Sequence, residues 1–326
     1  MPEWSRRLRE QGVVGLNERN LEYINRANGR RHFPLVDDKL RTKRLAQRYG
    51  VAVPELLGVI RGNHEVRRLE QIIPGDRGFA IKPARGSGGK GILVIASHGD
   101  GWFRKGSGEW LPRRRVVRYL SNLLAGLYTL GGTPDVAMVE ALVEIEPEFA
   151  AFSHAGVPDI RIVVYQGYPV MAMMRLSTAA SDGKANLHQN AIGVGLDIAR
   201  GEPVHAVQKN RRVSHHPDTG QRLDELRISD WEAMLIQAAN CFEMTGLGFL
   251  GADMVLDRRH GPLLLELNAR PGLSIQLANG IGLAPRLQCI RDREAERVEA
   301  DRPVYTAQER VAFARARFTG TNDVLP

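Results

Sequence analysis

FLGADMVLDRRHGPLLLELNARPG, residues 249–272, reads as two apolar strands joined by a polar turn, yet three positions carry oxygen-bearing side chains: Asp253, Glu266 and Asn268. Side chains alternate along a strand, so Glu266 and Asn268 share one face while Leu265 and Leu267 take the other. A symmetric turn at 257–262 sets Asp253 opposite Glu266, with β-carbons about 4.5–5.5 Å apart. Like charges at that spacing repel unless something stands between them. The residues alone leave three answers open: one carboxyl is protonated, an arginine such as Arg270 bridges the pair, or a divalent cation takes both carboxylates with the Asn268 carbonyl. Ligands that are all oxygen point to magnesium or manganese and away from zinc.

A second segment bears on the same question. GFAIKPARGSGGKGILVI supplies Gly86, Gly88, Gly89 and Gly91 within six residues, with Ser87 and Lys90 among them. Glycines allow positive φ and bring several N–H groups to a phosphate. The pattern is not a P-loop, since GxxxxGK[ST] is absent, and not a dinucleotide fingerprint, since a strand follows where a helix should open. Taken alone, such a loop is also an ordinary flexible turn. Lys82 interrupts the apolar run Phe79-Ala80-Ile81 just before it, as either an edge residue facing water or a phosphate contact, for which a compact ammonium is suited.

The 45 basic residues divide into 38 Arg and 7 Lys, and the formal net charge is +8. The basic residues are scattered and no helix-turn-helix, zinc-finger or aromatic RNA-binding pattern accompanies them, so no nucleic-acid partner is expected. No apolar run reaches the ~20 residues of a membrane span, and the N-terminus has no signal-like apolar region, so the expected location is cytoplasmic. Cys241 and Cys289 have neither metal-site nor disulfide-framework spacing. Asp37 reads as the N-cap of a helix closed by Gly50. Val116, Leu120, Leu123, Leu124 and Leu127 share one helical face, and Ser229 to Glu232 reads as a capping box opening a helix that ends at Gly246. The chain divides into a short helical segment (1–36), a first lobe with the glycine loop (37–140), a second lobe with the paired carboxylates (141–290) and a charged tail (291–326).

The ordered set DDKLRTKRLA, FAIKPARGSGGKGI, MVEAL, DIRIVVY, MMRLS, ANLHQN, GADMVL and LELNARPG, with NERN at 17–20 and HFPLVDDKL at 32–40, resembles the ATP-grasp superfamily. Within it the sequence looks like the alpha-L-glutamate ligase-like proteins of the ribosomal-protein glutamate ligase type. The resemblance implies an α+β ATP-grasp fold with two lobes enclosing a nucleotide cleft, and an ATP-dependent carboxylate–amine ligase with an acyl-phosphate intermediate. It implies that Lys39 and Lys82 contact nucleotide phosphates and that Gly86, Ser87, Gly88, Gly89, Lys90 and Gly91 cover them. Glu140, Ala141 and Leu142 become the adenine hinge and Asp159 the ribose-side acid. Arg161, Arg175 and Asn186 line the reacting phosphate, Arg270 clamps a substrate carboxylate, and Asp253, Glu266 and Asn268 hold Mg2+ or Mn2+.

Each of these residues also has a purely structural role open to it: Arg161 and Arg175 as paired arginines on adjacent strands, Asn186 as the cap of a loop, Arg270 as the neutraliser of Glu266. The family normally begins with a separate α/β domain, whereas 36 residues precede the first matching helix here. The missing part of the substrate site is therefore expected to be reduced, or to come from the tail, a homo-oligomer or a partner. The alternatives to a ligase acting on a carboxylate and an amino-acid or peptide amine are a small-molecule kinase and a nucleotide-binding module without turnover.

Overall fold

A computed structural model describes residues 3–319 other than 74, 76, 87, 88 and 130, with only the backbone of residues 4 and 5. The chain divides into two units: a smaller one of residues 37–44 and 53–144, and a larger one of 1–36, 45–52 and 145–326.

The smaller unit is built on β1 (Leu56–Ile60), β2 (Phe79–Pro83), β3 (Leu93–Gly99), β4 (Trp102–Lys105), β5 (Trp110–Pro112) and β6 (Ala137–Ala141). They form one sheet in the order β1-β6-β2-β3-β4-β5, with every neighbour antiparallel. Alternation along β2 decides what each face does. Phe79 and Ile81 point into a core with Leu93, Ile95 and Phe103, against Val116, Leu120, Leu123 and Leu124 of the helix Arg113–Leu124. Ala80 and Lys82 take the opposite face. Leu127, expected on the buried stripe, lies past that helix and is 65% exposed, because the chain leaves helical geometry at Ala125–Gly126.

The larger unit contains β7 (Asp159–Tyr165), β8 (Tyr168–Leu176), β9 (Ile192–Leu196), β10 (Pro203–Gln208), β11 (Arg211–Arg212), β12 (Phe249–Asp257) and β13 (Gly261–Asn268), in the order β11-β10-β9-β8-β7-β12-β13. All neighbours are antiparallel. The helix Trp231–Thr245 packs on this sheet and buries Trp231, Met234, Leu235, Ala238, Ala239 and Cys241. Cys241 and Cys289 are both thiols. Residues 1–36 and 291–319 are parts of this unit and not appendages to it. Asn28 is buried and clamps the sheet end, donating to the Phe249 and Ala269 carbonyls at 2.7 and 3.1 Å and accepting from Phe249 N–H at 2.8 Å. At the other terminus, the helix Ala307–Arg317 buries Arg310, whose guanidinium meets the more exposed Glu243 carboxylate.

Two caps differ from expectation. Asp38, not Asp37, caps the helix Lys39–Arg48, its Oδ1 accepting from the N–H groups of Leu40 and Arg41 at 3.1 Å. The Ser229 box does not form: Asp230 precedes Trp231 at φ 52°, outside the extended geometry a capping side chain needs. Boxes form instead at Thr306 with Glu309 and at Thr178 with Ser181, and Gly246 at φ 67° closes the helix Trp231–Thr245 as expected.

Candidate functional site

The β12–β13 hairpin brings Asp253 opposite Glu266, but by another route than a symmetric turn. Near the turn the pairing runs Asp257 with Gly261 and Met254 with Leu264, one residue short of the register read from sequence. A β-bulge between Asp253 and Met254, at Leu265 on the partner strand, adds the missing residue, and Asp253–Glu266 and Gly251–Asn268 then fall into register.

Neighbouring strands complete a charged row. Arg161 on β7 pairs with Asp253, and Asp159, two residues earlier, pairs with Arg175 on β8. Asp159, Arg161, Arg175, Asp253 and Glu266 therefore stand on one face of four adjacent strands. Arg175 forks onto Asp159 through Nε and Nη2, both at 2.5 Å, and its Nη2 reaches Asp253 Oδ2 at 2.9 Å. Arg161 forks onto Asp253 through Nε to Oδ1 and Nη2 to Oδ2, the latter at 2.6 Å. Burial opposes charge on both acids. At Asp253 the two guanidiniums outweigh it and hold the carboxyl below the usual aspartate range. At Asp159 burial wins over Arg175, the Asp253 charge adds to it, and the carboxyl is pushed up.

Among the described residues, no three His, Cys, Asp or Glu side chains are placed to hold a metal, so a cation here draws on two carboxylates and Asn268. Asn268 Oδ1 accepts the Arg270 N–H at 2.8 Å and keeps a second lone pair. Asp253 would be shared with its arginines. The donor set fits a hard, partly hydrated dication completed by ligand oxygens, and does not make a closed protein cage.

In the smaller unit, the glycine loop and its lysines have their own logic. Lys39 Nζ donates to the Gly86 carbonyl at 2.7 Å. Gly89 and Gly91 both adopt φ 73°, and a Cβ on Gly91 would stand 2.4 Å from Tyr128 Cγ, so the loop needs glycine there. Lys90 is exposed. Ser87 and Gly88 lie outside the described residues.

Glu140 and Ala141 belong to β6, with Glu140 paired to both β1 and β2 and the Ala141 N–H donated to the Glu55 carbonyl at 2.9 Å; of the expected hinge only Leu142 lies past the strand. The Glu140 side chain has a different task. Its Oε1 meets Lys43 Nζ and its Oε2 meets Lys82 Nζ, each at 2.6 Å. Burial works against ionisation of Glu140, but Lys82 and Lys43 overcome it and hold the carboxyl below the usual range. Burial lowers the Lys43 ammonium despite Glu140. Two lysines on one carboxylate leave an excess positive charge beside a loop of glycine N–H groups, and that combination fits an oligophosphate.

Sequence reasoning missed Lys43, although one signal was available: it is one of seven lysines and lies one helical turn after Lys39. Asn186 caps its own turn, accepting the His188 N–H at 3.0 Å. The guanidinium of Arg270 lies 4.3 Å from the Phe33 ring centroid.

Residues 18–292 match the family model described as sugar-transfer associated ATP-grasp. The chain belongs to that ATP-grasp family. Two curated relatives are each named probable alpha-L-glutamate ligase. The one from Maridesulfovibrio salexigens is 25% identical over 253 residues, and the one from Aeromonas salmonicida is 23% identical over 251. Each alignment covers 77% of this chain but only 61% and 62% of the relatives, so the chain spans about three fifths of their length. Among solved structures, D-cycloserine synthetase aligns with a TM-score of 0.46 at 17% identity, over 80% of this chain and 71% of that one. The ATP-grasp fold accounts for the two antiparallel sheets, one with a glycine loop and one with a carboxylate-bearing hairpin. Among the described residues no helix is long and apolar enough to cross a membrane.

Proposed function

We propose that this ATP-grasp protein is an ATP-dependent carboxylate–amine ligase. The observation that carries the reading is the row of Arg175, Asp159, Arg161, Asp253 and Glu266 on one sheet face, where two arginines stand among carboxylates and the last two positions are both acids. Such an array suits a reaction in which negative charge moves between oxygens and the protein's contribution is electrostatic.

In this reading Lys39, Lys82, Lys90 and the amides of Gly86, Gly89 and Gly91 hold the ATP phosphates. Glu140 fixes Lys82 and Lys43. A carboxylate oxygen of the substrate attacks the γ-phosphorus, the bond to the ADP oxygen breaks, and an acyl phosphate forms. The amine nitrogen then attacks the acyl carbon, inorganic phosphate leaves, and the nitrogen gives up its proton to water. Arg161 and Arg175 neutralise the transferring phosphoryl group, and Asp253 keeps both in place. Magnesium held by Asp253, Glu266 and Asn268 would neutralise further phosphate charge.

ATP turnover with candidate amino acids in the presence of hydroxylamine is expected to yield a hydroxamate, and Glu266→Gln to lower that turnover by roughly 10²-fold. A stable phosphorylated product without hydroxamate would replace the ligase with a kinase. Unaltered turnover in Glu266→Gln would remove the hairpin from the site.

A further inference from the structure

The connection between β8 and β9 is long for what it joins. Leu176 pairs directly with Ile192, a geometry that a tight turn could close, yet residues 177–191 make the link. Ordering a loop costs entropy, and loops of this length in compact domains are usually functional. The base of this one is buried and polar. Ser177 and Thr178 are fully enclosed, and Thr178 Oγ1 donates to the Asn190 carbonyl at 3.1 Å, closing the loop on itself. Gln208 of β10 donates to the same carbonyl at 2.9 Å.

Residues 214–223 hold that base from outside. They form a short antiparallel turn in which His215 bridges Arg222, the His216 N–H is donated to the Gln221 carbonyl at 2.8 Å, and Gly220 adopts φ 74°. His216 is 1% exposed, and both of its ring nitrogens are engaged. Nδ1 accepts the Asp218 and Thr219 N–H groups at 3.3 and 3.4 Å, which puts the ring proton on Nε2. Nε2 then donates to the Ser177 carbonyl at 3.0 Å. Asp218 Oδ2 accepts the Ala179 N–H at 2.7 Å, and Thr219 Oγ1 donates to the Ala151 carbonyl at 2.7 Å. All of these contacts are to backbone, so they fix the path of the chain whatever side chains it carries. A fully satisfied buried polar network rigidifies what it joins.

The loop carries Asn186 away from that base. Asn186 Oδ1 is spent on the His188 N–H at 3.0 Å, so its side-chain amide has N–H donors to offer a ligand. Its carbonyl accepts from the Gln189 and Ala191 N–H groups at 2.8 and 3.2 Å, which makes the tip rigid as well. At the near end, Ser177 follows Arg175 of the charged row by two residues, so the same contacts bear on the end of β8.

We propose that residues 214–223 are a clasp for the 177–191 loop, with His216 and Asp218 as positioning residues for the Asn186 amide. The role in the reaction rests on the ligase reading; the clasp does not.

The test joins amide hydrogen exchange of the full chain without nucleotide to kcat and KM for ATP in the hydroxamate assay. In His216→Asn the shorter amide still accepts the N–H groups of its own turn, as asparagine commonly does, but no longer spans to Ser177. The Ser177 carbonyl keeps the His154 N–H at 3.0 Å, so no buried acceptor is orphaned. Asp218→Ala removes the acceptor for Ala179, and Asp218→Asn retains one. In His216→Asn and Asp218→Ala, residues 177–191 are expected to exchange about fivefold faster or more, with β12 as protected as in wild type and Asp218→Asn close to wild type. The same two variants are expected to lose about tenfold or more in kcat with KM for ATP within about twofold, the mark of a group misplaced in the transition state. Unchanged exchange in 177–191 overturns the clasp, and so does an equal loss of protection in β12, which would make His216 and Asp218 supports of the whole unit. Faster loop exchange with unchanged kcat overturns the positioning role. A wild type that forms no hydroxamate removes the ligase reading and the positioning role with it, while the exchange comparison, which needs no nucleotide, still decides the clasp.

Discussion

Each unit of this protein places a buried carboxylate between two cations, and the two arrangements differ in the cation. In the smaller unit Glu140 stands between Lys43 and Lys82; in the larger, Asp253 stands between Arg161 and Arg175. An ammonium can shed its proton when its partner is lost, while a guanidinium cannot. The lysine set is therefore adjustable and the arginine set is locked. A locked set suits a row whose arginines must stay charged and in place, and an adjustable one suits a place where a charged ligand arrives and leaves.

The largest expected effect comes from breaking the locked set. Asp253→Asn leaves two buried arginines with a neutral amide, and removing one partner of a buried ion pair costs about 3–5 kcal/mol. Arg175 retains Asp159, so the loss falls chiefly on Arg161. A urea unfolding midpoint close to wild type would show that the arginines are solvated well enough to stand alone.

How much of this was readable beforehand differs between the two sets. Asp253, Glu266, Arg161 and Arg175 all lie on regular strands, where a period of two and a hairpin register bring distant residues together by counting. Even there the agreement at Asp253 and Glu266 came from a shorter turn and a bulge at Leu265, two changes that offset each other and that no propensity in GPLLLELN announces. The lysine set was half visible. Lys82 stands out as a charge in an apolar strand, but the bridge that Glu140 makes depends on Lys43, a residue of a separate helix. The half-buried position of Arg19 against Pro271 was not legible at all. Its placement depends on a π-turn and on an Asn28 clamp to strands more than 200 residues away, and local pattern carries neither. Ser229 failed for the opposite reason, a good local pattern overridden by a left-handed Asp230.

The second effect separates the sets by pH. Glu140→Gln leaves Lys43 buried beside a neutral amide, at an expected cost of about 1–3 kcal/mol, less than Asp253→Asn because the lysine can neutralise itself. The sign follows from linkage. Lys43 titrates below the usual lysine value when folded, so between its folded value and the unfolded ~10.4 the unfolded chain binds more protons and stability rises with pH. Glu140→Gln should steepen that rise relative to wild type, while Asp253→Asn adds no slope there. At the acid end, wild type has Glu140 stability in full above the unfolded value of about 4.3 and loses it as pH falls through the lower folded value. Glu140→Gln removes that dependence. Parallel slopes in the two variants from neutral pH to about 10 would erase the distinction between adjustable and locked sets.

The smallest expected effect on stability is the most informative about function. Lys82 is the more exposed of the two lysines on Glu140, with 18% of its side chain accessible against 6% for Lys43. In Lys82→Met, Glu140 keeps Lys43, so the carboxylate is still neutralised and stability should fall by only about 1 kcal/mol. If Glu140 needs just one lysine, the second is present to meet something else, and under the ligase reading that is a phosphate of ATP. Lys82→Met is then expected to weaken binding of a fluorescent ATP analogue by about tenfold or more, the equivalent of one charge-assisted contact. Lys43→Met inverts the pattern, because it strips the deeper cation and leaves Glu140 relying on Lys82: a larger loss in urea midpoint, with Lys82 drawn away from phosphate. Equal losses of stability and of analogue binding in the two variants would mean that the lysines are interchangeable props for Glu140, and the smaller unit would then carry a locked set of its own.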